Sequence, residues 1–81
     1  MEEQEILLQL NNVFRKCFKR QDITVSPETS AADVTGWDSL THMILINDIE
    51  RHFSIKFKLM EIMKFNNVGD MLACIKKKVN T

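Results

Sequence analysis

The chain has no net charge, no long apolar run and no paired cysteines, and each absence removes a class of function. Eleven Lys and Arg offset eleven Asp and Glu, whereas nucleic-acid binding wants a clustered basic excess, so no nucleic-acid partner is expected. No apolar stretch approaches the ~20 residues that a bilayer-crossing helix requires, so no membrane span is expected. The opening Met1-Glu2-Glu3-Gln4-Glu5 is acidic where a secretory signal begins basic, and the expected location is the cytoplasm. Cys17 and Cys74 lie far apart, with no C-x-x-C pair and no histidine at ligand spacing, which leaves a zinc site without ligands. Both fall among apolar helical positions and are expected as buried free thiols. Internal repeats and low-complexity tracts are also missing.

What remains is ordinary globular composition, 44% hydrophobic and 27% charged, which argues against disorder. A chain of 81 residues is expected to be one domain, residues 1–81, and a monomer. At this size about 60–70% of the unfolded surface becomes hidden, so nearly every apolar residue with helical spacing is needed for the core.

Ile6, Leu7, Leu10, Val13, Phe14, Cys17 and Phe18 form the stripe of an amphipathic helix. Its acidic start and the basic Arg15, Lys16, Lys19 and Arg20 at its end complement the helix dipole. From Gln21 to Trp37 the period breaks, which predicts a long ordered loop pinned to the core by Ile23, Val25 and Val34; loops this long in a compact domain are usually functional. Asp38 or Ser39 can cap a second helix running to about Phe53. Leu40, Met43, Ile46, Ile49 and Phe53 make one consistent face of it, with Ile44 and Leu45 toward its edge or outside. Ser54 to Lys58 reads as a connector and Leu59 to Lys64 as one or two helical turns. Asn66-Asn67 offers a cap for a last helix with the stripe Val68, Met71, Leu72, Ile75 and Val79, ending in Lys76-Lys77-Lys78. The predicted fold is all-α: a small four-helix bundle with a long ordered loop between helices 1 and 2 and a short third helix.

The chemistry centres on Gly36-Trp37-Asp38-Ser39-Leu40. A phosphodiester on the Ser39 hydroxyl would lie at a helix N-terminus, where an exposed anion gains about 0.3–1 kcal/mol from free N–H groups and the dipole. Gly36 allows a sharp turn into the helix, and Leu40 is expected to anchor the first turn on the core so that Ser39 faces solvent. Asp-Ser at a helix start is equally an ordinary cap, so the triplet alone leaves both readings open. A hydrolytic Ser39 with His42 as base is disfavoured, because an 81-residue chain offers it neither a pocket nor an orienting acid.

Around Ser39 the whole chain resembles the acyl carrier protein family. Leu40, Met43, Ile46, Ile49, Glu50 and Phe53 are similar to that family's second helix, Ile55-Lys56-Phe57 to its connector, and Val68, Leu72 and Ile75 to its last helix. The Trp-Asp-Ser-Leu-Thr-His run further resembles free-standing carriers of specialised acyl or aminoacyl pathways. The resemblance implies that Ser39, flanked by Asp38 and Leu40, receives 4'-phosphopantetheine from coenzyme A through a separate phosphopantetheinyl transferase. The arm's thiol then carries an acyl or aminoacyl group as a thioester. It also implies an acyl- or aminoacyl-loading enzyme and downstream acyl-using enzymes as partners, and no catalysis by the chain itself. An unmodified helical interaction module on the same fold is the alternative.

The chain departs from the fatty acid carriers in being neutral, with Ile44 where they resemble one another in an acidic residue. The expected partner face, Thr41, Ile44, Asn47, Asp48 and Arg51, is therefore an apolar contact rimmed by polar groups. Trp37 is expected as a packing anchor under the loop, and the five methionines as adaptable core filler.

Overall fold

A computed structural model describes residues 2–80. Four α-helices, α1 (Glu3–Phe18), α2 (Ser39–Phe53), α3 (Leu59–Met63) and α4 (Val68–Val79), account for the fold, with a 3-10 turn at Ala31–Asp33 in the long loop. Helix α1 packs against both α2 and α4. Contacts at its N-terminal half set the directions. Gln9 Oε1 lies 2.8 Å from His52 Nε2 near the end of α2, and Glu3 pairs with Lys76 near the end of α4 at 3.3 Å. Both neighbours therefore run antiparallel to α1, and their apolar stripes meet in one core built on Ile6, Leu10, Phe14, Leu45, Ile49, Val68, Met71 and Ile75.

The loop from 19 to 38 is held as the sequence predicts, with Ile23, Val25 and Val34 buried. Its backbone is fastened at both flanks. Asn11, a buried polar residue of α1, accepts a hydrogen bond from Val25 N at 2.7 Å and donates from Nδ2 to Val25 O at 3.2 Å. One turn on, Arg15 Nε donates to Ile23 O at 2.7 Å. On the other flank, the first amides of α4 would lack intrahelical acceptors; Val68 N donates to Thr29 O and Gly69 N to Pro27 O, both at 2.8 Å. A Cβ at Gly69 would stand 2.9 Å from Pro27 O, so only glycine permits this approach. Asn67 caps α4 by accepting from Asp70 N at 2.9 Å.

Helix α2 departs from expectation in its rotation. Its buried residues are Leu45, Ile46 and Ile49, whereas Leu40 is 71% exposed and Met43 46%. At about 100° per residue, Leu40 and Ile49 point to opposite sides of the helix, so Leu40 cannot anchor the first turn on the core. Leu45, expected at the edge, is fully buried instead. Packing against α1 selects this face. Burial also departs from expectation at the cysteines and the methionines. Cys17 and Cys74 are free but only half-buried, with burial raising both thiols above the ordinary value. Of the methionines from Met43 onward only Met71 is core; Met43, Met60 and Met63 are exposed.

Candidate functional site: the start of helix α2

The chain enters α2 through Gly36, whose φ of +92° lies in the left-handed region that suits glycine. The turn sets Asp38, and not Ser39, at the N-cap. Asp38 Oδ1 accepts from Thr41 N at 3.0 Å, and Thr41 Oγ1 accepts from Asp38 N at 2.7 Å. The Thr41 hydroxyl proton goes to Gly36 O, also at 2.7 Å. These bonds, the Thr41 amide first among them, hold the Asp38 carboxyl below its ordinary value, so it is ionised at neutral pH. A reciprocal cap of this kind satisfies two terminal donors at once.

Because Asp38 does the capping, Ser39 becomes the first helical residue with its hydroxyl unused. The side chain is exposed and has no hydrogen-bond partner among the described residues. It lies in the helix's first turn, where N–H groups lack intrahelical acceptors and the dipole is positive. A phosphodiester on this oxygen therefore fits the site.

Beside Ser39 an open cleft of about 570 Å³ runs between α2 and α3, lined among others by Trp37, His42, Met43, Ile62 and Phe65. Trp37 is half-buried, edge-on to Phe14 with ring centres 5.2 Å apart, which matches the expected packing anchor. Its Nε1 donates to His42 Nδ1 at 3.0 Å. The imidazole that a Ser39–His42 pair would need is thus engaged with an indole. Around the cleft stand exposed apolar side chains: Leu40, Met43 and Ile44 on α2, and Leu59, Met60 and Met63 on α3.

The five residues expected to meet partners are not equivalent. Ile44 is 45% exposed, and Asn47 and Arg51 are exposed beyond it. Thr41 is occupied by the cap. Asp48 turns toward α1, where it lies close enough to Cys17 to help raise that thiol. Three residues shape the site from behind: Asn11, which sequence reasoning passed over, and Arg15, read there only as a complement to the helix dipole, hold the loop, and Glu50, placed there only by resemblance, accepts from Phe57 N on Oε2 at 2.8 Å and fixes the connector to α3. Among the described residues no group of His, Cys, Asp or Glu could hold a metal ion, and no helix is long and apolar enough to cross a membrane.

Fold and site together define a helical domain that offers one unhindered serine at a helix start beside an apolar cleft. Comparison with known proteins places that class. The family described as "Phosphopantetheine attachment site" matches residues 9–75. The acyl carrier protein of Thermotoga maritima is 28% identical over 76 residues, covering 94% of each chain. A segment of a non-reducing polyketide synthase of Emericella nidulans is 30% identical over 71 residues, 88% of this chain; the chain spans 3% of that protein's length. The solution NMR structure of the holo acyl carrier protein from Geobacter metallireducens superimposes with a TM-score of 0.88 at 44% identity, covering 93% of this chain and 86% of that one. The chain belongs to the acyl carrier protein family. The cofactor of this family is covalently attached phosphopantetheine, and its members are in general carriers, not catalysts, that work with partner enzymes.

Proposed function

We propose that Ser39 is the residue that receives 4'-phosphopantetheine, and that the loaded arm carries an acyl or aminoacyl thioester between partner enzymes while the chain itself catalyses nothing. The observation that carries this reading is the division of labour at the start of α2: Asp38 makes the cap, so the Ser39 oxygen is exposed and unpaired. An autonomous hydrolase would need that oxygen bonded to a base, and the base nearby is spoken for by Trp37.

The domain, residues 1–81, is read as a monomeric cytoplasmic carrier. Its neutral charge and the exposed Ile44 favour a specialised acyl or aminoacyl pathway with its own loading enzyme and downstream enzymes. Ile44, Asn47 and Arg51, with Thr41 and Asp48 at the border, form the face these partners would meet.

The test is intact mass after incubation with coenzyme A, magnesium and a promiscuous phosphopantetheinyl transferase. One added arm is expected, with none on Ser39→Ala. A folded wild-type protein that gains no mass would favour the unmodified interaction module instead.

A further inference from the structure

We propose that His42 is a positioning residue that, in its neutral form, latches the loop before Ser39 to α2, and that protonation opens this latch and loosens the cleft wall beside the serine. An indole N–H can only donate, so His42 Nδ1, 3.0 Å from Trp37 Nε1, must be an unprotonated acceptor. A neutral imidazole then carries its single proton on Nε2. One ring thereby joins two elements, the loop at Trp37 and α2, and both side chains line the cleft beside Ser39.

Helix α3 forms the opposite wall of that cleft. It has five residues, far fewer than a helix needs to persist by itself, and Leu59, Met60 and Met63 point their apolar side chains into solvent. Ile62 packs on the core and Glu61 pairs with Lys78 at 3.1 Å. Trp37 is itself fixed, because it packs edge-on to Phe14 and stacks on His42 with ring centres 6.0 Å apart and planes 18° apart.

A second proton must go to Nδ1, where it would face the indole N–H donor to donor. The hydrogen bond is then lost and one ring has to move. Burial holds His42 below the ordinary histidine value of 6.5, the Ile62 carbonyl opposing this more weakly. The latch is therefore closed at neutral pH and opens as pH falls through a midpoint below 6.5. The ionisable groups around the ring do not supply it with a partner. From the loop, Asp38 is committed to Thr41; from α3, Glu61 is committed to the Lys58 amide and Lys78; from α1, Phe14 and Phe18 reach the site through Trp37. The latch stands on this geometry alone; its consequence for a bound arm rests on the proposed role of Ser39.

Trp37 is the chain's single tryptophan, so its fluorescence in the full unmodified chain reads the latch directly. Titration from about pH 8 to about pH 4.5, across the histidine range, should give a one-proton transition with its midpoint below 6.5. The Trp37 indole N–H shift should move with the same midpoint in NMR spectra. His42→Gln offers an oxygen to the indole without titrating, and should remain folded and flat. A flat wild-type curve, or a His42→Gln curve that titrates like the wild type, overturns the proposal. Ring nitrogen shifts of the wild type provide a check that needs no variant: the Nε2–H tautomer is expected at neutral pH, and Nδ1–H would overturn it. None of these readings depends on whether Ser39 accepts an arm.

Discussion

At the scale of single residues, the account turns on separating the cap from the serine beside it. Asp38→Ala should cost about 0.5–2 kcal/mol, since it strands the Thr41 amide at the helix start; Ser39→Ala should leave thermal stability unchanged. Paired melts of the two variants check this, and a Ser39→Ala protein as destabilised as Asp38→Ala would return Ser39 to the role of a cap. Asn11 makes a sharper case. Asn11→Ala leaves the buried N–H and C=O of Val25 unpaired, at about 1–3 kcal/mol for each stranded group. In a domain this small the melting temperature should fall by roughly 4–8 °C per kcal/mol. Ser39 could be picked out in the sequence by its neighbours, whereas Asn11 could not. Its partner lies 14 residues away in a loop with no periodic signal, and a polar residue on a helix stripe ordinarily reads as the solvent side.

At the scale of elements, the long loop and α4 depend on one close approach. Gly69→Ala would drive a methyl into Pro27 O, and because backbone must yield, a loss of about 1–3 kcal/mol is expected, as for other overpacked sites; denaturant unfolding measures it. Helix α3 has its own acid sensitivity. Glu61 is lowered to about 2, chiefly by the Lys58 amide and then by Lys78. A depressed carboxyl stabilises the fold above its unfolded value of 4.5 and loses that contribution as pH falls toward about 2. Glu61→Gln should flatten this part of the acid unfolding profile while leaving the fluorescence transition of His42 in place. Helix positions were legible in the sequence to within a few residues, because caps and periods are local. The rotation of α2 was not. With Leu40, Met43, Ile44, Leu45, Ile46 and Ile49 all apolar, more than one face satisfies a helical period, and only packing against α1 decides that Leu45 turns inward and Leu40 outward.

For the molecule as a whole, neutrality and an apolar patch should change how partners dock. Charged docking weakens as salt screens it over about 10 Å, while an apolar contact does not. The KM of a phosphopantetheinyl transferase for this chain should therefore vary little with salt. Ile44→Glu should raise it roughly tenfold, the loss typical of a residue at an interface centre. A strong salt dependence with no effect of Ile44→Glu would place recognition elsewhere. The four-helix carrier architecture was readable because spacing on both sides of Ser39 agrees with it, and the superposition with a holo acyl carrier protein at a TM-score of 0.88 bears it out. The latch between Trp37 and His42 was hidden for a physical reason: an N–H to nitrogen bond depends on ring orientation, which helical period does not encode.

The central claim is that the Ser39 oxygen, left free by the Asp38 cap, bears the arm. Fragment mass mapping of the modified protein tests it at the level of the atom's own residue. The whole added mass should fall on Ser39; an arm on Thr41 or Ser30, or none on a folded protein, would contradict it.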